Sequence, residues 1–194
     1  LVNPTDVKKN NGTQCGDVLI LTKPLGVGLT LNALRMDDCS KEMQERVFKS
    51  MTTLNKYACD VLKKYDVHAL TDVTGFGLLV HLNEMLDEKN SAVIYKDSIP
   101  YFDDCQKYVE EFYLSGAAQT NRNSVEGKIS FDCDFFTEEI LFDPQTSGGL
   151  LASVSKADLE MLEKDFKENN LELYVVGEVI EKNEYNVYVR GRKI

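Results

Sequence analysis

A chain of 194 residues, 43% hydrophobic and carrying a formal charge of −10, has the composition of an ordinary soluble globular domain. At this length roughly 70% of the unfolded surface can be buried, so a core forms without disulfide or metal support. The acidic balance excludes a duplex-binding surface, which needs clustered Lys and Arg, and no apolar run approaches the ~20 residues of a membrane span.

The five cysteines (Cys15, Cys39, Cys59, Cys105, Cys133) are odd in number and contain no C-x-x-C pair. They read as structural thiols in a reducing, cytoplasmic compartment rather than as a disulfide framework. The opening Leu-Val-Asn-Pro-Thr-Asp has neither an apolar signal core nor an initiator Met, and is expected to begin a fragment of a longer protein.

Val18 to Thr22 (VLILT) reads as a buried strand that ends at Lys23-Pro24 and enters a two-glycine turn, Leu25-Gly26-Val27-Gly28. One long helix is predicted over Lys41 to Tyr65, because Met43, Val47, Met51, Leu54, Ala58, Val61 and Leu62 recur in steps of three and four. A strand near His68 to Asp72 runs into Thr74-Gly75-Phe76-Gly77, and a helix follows from Leu78 to about Leu86. Ala92 to Tyr95 is a further strand, and Pro100 opens a helical stretch carrying Tyr108, Phe112 and Tyr113.

From Ser115 to Ser130 the pattern dissolves into small and polar residues, an irregular surface segment. Leu150 to Val154 is a strand; Ser155 with Asp158 three residues on has the spacing of a capping box, opening a helix that ends near Asn169-Asn170. Leu173 to Ile180 and Tyr185 to Val189 are predicted to pair as a hairpin across Glu181-Lys182-Asn183-Glu184. Together these indicate one α+β domain, a layered mixed sheet with packed helices.

Two glycine-bearing strings hold the residues suited to chemistry. In Thr71-Asp72-Val73-Thr74-Gly75-Phe76-Gly77, a carboxylate at a strand end precedes a hydroxyl and two glycines at a helix start. A carboxylate suits Mg²⁺, a hard cation that bridges to phosphates, and glycine lets backbone N–H groups approach an anion. The same string also fits a plain helix cap. In Asp143-Pro144-Gln145-Thr146-Ser147-Gly148-Gly149, hydroxyls and paired glycines can form an anion nest, or simply a turn into a buried strand. Lys23 and Arg122 are within reach of a phosphate in principle, with solvated charges as the ordinary alternative. His81 reads as a core or surface histidine.

The strings LTKPLGVG (21–28), ALTDVTGFGLLVHLNEM (69–85) and LFDPQTSGGLL (141–151) resemble the carboxy-terminal domain of the selenophosphate synthetases (selenide, water dikinases), within the aminoimidazole-ribonucleotide-synthetase-like superfamily. The resemblance runs from about Val2 to Val189. It implies an enzyme making selenophosphate from selenide and ATP, releasing AMP and phosphate, with Mg²⁺ and usually K⁺. It also implies a homodimer and an amino-terminal domain bearing the reactive Cys or selenocysteine and most metal-binding aspartates, so no catalytic residue is expected in this fragment. Asp72 maps onto an aspartate that reaches across as a Mg²⁺ ligand, with Thr74 and Gly75 beside the phosphates; Thr146, Ser147 and Gly148 fall in the matching second string. Two departures are Ala118-Gln119 ahead of Thr120-Asn121-Arg122-Asn123, where paired glycines are usual, and Val80 in place of glycine. A non-catalytic regulatory paralogue is the alternative reading, and a hydrogenase-maturation or thiamine-phosphate kinase relative a third.

Overall fold

The computed structural model describes residues 8–192, so the opening hexapeptide and its fragment-like start lie outside the described residues. The strands are β1 (Val18–Leu21), β2 (Val67–Asp72), β3 (Asn90–Tyr95), β4 (Ile129–Phe131), β5 (Leu150–Val154), β6 (Tyr174–Glu181) and β7 (Val187–Arg190). The helices are α1 (Val27–Arg35), α2 (Lys41–Thr52), α3 (Lys56–Leu62), α4 (Gly77–Met85), α5 (Cys105–Glu110), α6 (Gly116–Ser124), α7 (Phe135–Phe142) and α8 (Leu159–Glu168). The strands form one sheet in the order β2-β5-β1-β6-β3-β7-β4. It is antiparallel from β2 to β3, while β7 runs parallel to both β3 and β4. The α+β, layered mixed-sheet expectation holds.

Every residue of β1 is buried because the sheet is covered on both faces. Successive side chains on a strand point to opposite sides, so Leu19 and Leu21 enter one core and Val18 and Ile20 the other. The larger core takes apolar residues of α1, α2, α4, α5, α6 and α7; the smaller lies under α3 and α8, where Leu162 and Phe166 meet Val61 and Leu62.

The predicted helix from Lys41 to Tyr65 is two helices. The chain turns extended at Thr53 (φ −71°, ψ 121°), where the β-branched pair Thr52 and Thr53 bond their hydroxyls back to the Phe48 and Lys49 carbonyls. The apolar stripe carries across the break because Met43 and Val47 serve the larger core while Ala58, Val61 and Leu62 serve the smaller. Periodicity is blind to that change of side.

The Ser115–Ser130 stretch is not irregular: it contains α6 and β4. Tertiary bonds hold α6, since buried Asn121 donates to the carbonyls of Gly75 (2.9 Å) and Phe142 (3.1 Å). The expected two-glycine turn after Pro24 is brief, and α1 starts at Val27. Beyond Pro100 only Tyr108 is helical; Phe112 already has φ 59°. Ser155 makes no capping bond, and Asp158 instead accepts from the Asp66 amide at 2.9 Å. The predicted hairpin is also replaced. β3 inserts between β6 and β7, with Ala92 opposite Val179 on one side and Val187 on the other.

Candidate functional site

The antiparallel registers of β2, β5 and β1 place three sequence-distant strings at one end of the sheet. Asp72 pairs with Leu150, and Leu150 exchanges hydrogen bonds with Thr22, through its own amide to Oγ1 (2.8 Å) and from the Thr22 amide (3.1 Å). Past the strand ends the two glycine strings lock together, as the Val73 amide donates to Gly149 O (2.8 Å) and the Gln145 amide to Thr74 O (3.0 Å). Gly148 must be glycine there, because a Cβ would stand 2.3 Å from the Val73 carbonyl oxygen.

The third string is tied in by Asp143, whose Oδ2 accepts from the Gly28 amide (2.9 Å) and the Gln145 side-chain amide (2.9 Å). Burial pushes the Asp143 carboxyl up to about 7, and its Oδ1 has no hydrogen-bond partner. Burial also raises the thiol of Cys105, with the Asp143 charge adding to the shift.

Lys23 is neither solvated nor turned toward open phosphate. It is buried, and its ammonium donates to the carbonyls of Thr53 (2.8 Å) and Ser147 (2.9 Å), while desolvation lowers its pKa. Asn55 adds a bond to Gly148 O at 2.9 Å. The break between α2 and α3 thus serves as the clamp for the second glycine string. Arg122 is likewise engaged, on Glu139 (2.6 Å) and over the Phe142 ring at 5.0 Å.

Against this scaffold the sequence-derived residues divide. Asp72, Gly75, Thr146 and Ser147 are exposed, Thr74 is half-buried and Gly148 is buried. Ser147 takes φ 53°, turning its carbonyl to Lys23. The capping alternative for Asp72 fails, since α4 follows Phe76 with no side-chain cap. The Asp72 carboxylate bonds to none of the described residues and faces a concavity of about 780 Å³ whose lining includes Lys8, Lys9, Asn55, Lys56 and Thr71. Lys8, Lys9 and Lys56 share that lining, with the Lys8 ammonium on the Val67 carbonyl at 3.4 Å and Lys56 paired with Asp60, a grouping invisible in the sequence, where 47 positions separate Lys9 from Lys56.

A free, solvent-facing carboxylate fits a hard divalent cation such as Mg²⁺ as one oxygen ligand. Among the described residues, no group of three or more His, Cys, Asp or Glu side chains is placed to hold a metal.

At the other end of β2, His68 bonds Asp17 (2.8 Å) and Asp66 (3.1 Å), and Ser153 donates to Asp17. Burial pulls the His68 pKa down, but the two carboxylates outweigh it and raise it overall. The spacing of these residues gave no signal for the cluster.

The architecture and site define a class. Residues 14–190 match the family described as AIR synthase related protein, C-terminal domain, and the chain belongs to that family. Among curated proteins it is similar to the selenide, water dikinase of Agathobacter rectalis, 43% identical over 97% of this chain and 56% of that protein. The one from Desulfitobacterium hafniense is 40% identical over 96% and 55%. The chain thus spans little more than half the length of the curated relatives it matches. Among solved structures, thiamine-monophosphate kinase from Stenotrophomonas maltophilia superposes with a TM-score of 0.68 at 16% identity, covering all of this chain and 56% of that one. The E. coli hydrogenase maturation protein HypE gives 0.64 at 16% identity, covering 94% and 49%. These two similarities establish the fold.

Proposed function

We propose that this chain is the carboxy-terminal lobe of a selenophosphate synthetase, which forms selenophosphate from selenide and ATP with release of AMP and phosphate. The observation that carries the reading is Asp72: an unbonded, exposed carboxylate lining a surface concavity, inside a string matching the family. Its curated relatives, named for this reaction and nearly twice as long, support it.

In this reading an amino-terminal domain supplies the reactive residues and the remaining metal ligands. Mg²⁺ bound at the shared edge would shield phosphate charge. The residues of this lobe bind and orient. Asp72 contributes one carboxylate to the cation site. The interlocked strings 72–77 and 143–149 hold that carboxylate in place, with exposed Thr146 and Ser147 offering hydroxyls to an anion. ATP is the phosphoryl donor.

The test is selenide-dependent AMP formation by the two-domain protein, with Asp72→Asn beside wild type. Activity should fall on the order of a hundredfold, and thermal stability should hold, because the carboxylate has no structural partner among the described residues. Undiminished activity would remove Asp72 from the site.

A further inference from the structure

Residues 8–17 form a strap beside the outer edge of β2, just before the chain enters β1. The Leu70 amide donates to Lys9 O (2.9 Å), and the Lys8 ammonium to the Val67 carbonyl (3.4 Å). At the root of the strap is a turn, in which the Gln14 amide donates to Asp17 Oδ2 (2.9 Å) and the Asp17 amide to Gln14 O (3.0 Å). The backbone of this root is fastened toward β6 and β3. The Gly16 amide donates to Val179 O (2.9 Å), and the Asn90 side chain to Thr13 O (2.6 Å). Toward β2 the tie is a pair of side chains, Asp17 and His68.

The β2–β5 register slips between Val67 and Ala69, and a bulge of this kind re-aims the side chain of its extra residue, here His68. Nδ1 of the ring meets both oxygens of Asp17, at 2.8 and 2.9 Å, and Nε2 meets Asp66 Oδ2 at 3.1 Å. A carboxylate accepts without donating, and a neutral imidazole has one N–H. A neutral ring would satisfy one of these contacts and turn a lone pair on the other. The two together call for an imidazolium.

The groups around the ring agree. Asp17 also accepts from the buried Ser153 hydroxyl on β5, and Asp158 sits on the Asp66 amide at 2.9 Å. The Lys8 ammonium is on the Val67 carbonyl, and among the described residues His68 is the one ion-pair partner of Asp17. The His68 and Asp17 side chains keep 13% and 4% of their surface exposed, so little water is at hand to replace the ring's charge. Without that proton, Asp17 would be a buried charge held by neutral donors alone.

We infer that the His68 proton is a pH-sensitive clamp on the strap: while the ring is charged it holds the root against β2, and its loss frees residues 8–14 from the β2 edge. Burial opposes the charge on His68, but the two carboxylates outweigh it and lift the ring's pKa above the ordinary 6.5. The folded protein thus binds this proton more tightly than the unfolded chain does. The clamp's stabilisation is complete below the unfolded value and is lost as pH rises through the folded one.

Long-range ¹H–¹⁵N spectra of the 194-residue chain at about pH 7, where an ordinary histidine is mostly neutral, should show protons on both ring nitrogens of His68. As pH is raised, amide protection corrected for intrinsic exchange should fall about tenfold at Gln14 and Leu70, with the midpoint of the ring's own titration. In His68→Gln, whose carboxamide donates to Asp17 but does not titrate, that step should vanish. A singly protonated ring at about pH 7 overturns the charge assignment. A charged ring whose titration leaves both amides equally protected removes the clamp, as does a step that survives in His68→Gln. The first two outcomes are read on the wild-type chain, so they hold however well the variant folds.

Discussion

Asp143 sits among Gly28, Gln145 and Cys105, and burial lifts its pKa to about 7. In the unfolded chain it ionises near 4. Between those values the native state binds the extra proton, so stability falls as pH rises from about 4 to about 7 and then levels off. Asp143→Asn should remove that slope, whatever it does to absolute stability. Denaturant midpoints at about pH 5 and about pH 8 measure it, and an unchanged slope would mean the carboxyl is not held neutral. Glycines give a second contrast at this scale. Gly148→Ala sets a Cβ against the Val73 carbonyl and should lose about 1–3 kcal/mol, read as a lowered Tm. Gly75→Ala meets nothing within 4 Å and should stay within about 0.5 kcal/mol. The sequence alone marked both glycines in the same way. Only the neighbouring backbone shows that one is packed and the other open.

Elements were legible where local pattern and burial agree. The short aliphatic runs at β1, β3 and β5 and the helix after Gly77 lie within a residue or two of where the residues place them. Misreadings arose where a partner distant in sequence decides the outcome. The polar segment of α6 is pinned by Asn121, α1 starts against Asp143, and β7 prefers β3 to its chain neighbour β6. The split between α2 and α3 belongs to the same group, and it has an energetic signature. Lys23 satisfies two carbonyls, one on either side of the clamp, so Lys23→Met should leave both without that donor and destabilise by about 1–3 kcal/mol. The expected outcome is a lower urea midpoint at unchanged m. No shift would mean that water replaces the ammonium freely.

For the whole molecule, the concavity beside Asp72 was the least legible feature, because Lys8, Lys9 and Lys56 join its lining only after folding. If the chemistry is completed by another domain, the 194-residue chain alone should show no selenide-dependent AMP formation. The two-domain protein should show it, and turnover by the isolated chain would refute the division of labour. One bond near the chain's start bears on how such a partner would arrive. The Leu70 amide donates to Lys9 O at 2.9 Å, laying residues 8–11 along the free edge of β2 and into the lining of the Asp72 concavity. Any polypeptide joined upstream is therefore leashed at the doorway itself. A tether at that point would raise its local concentration beside the carboxylate.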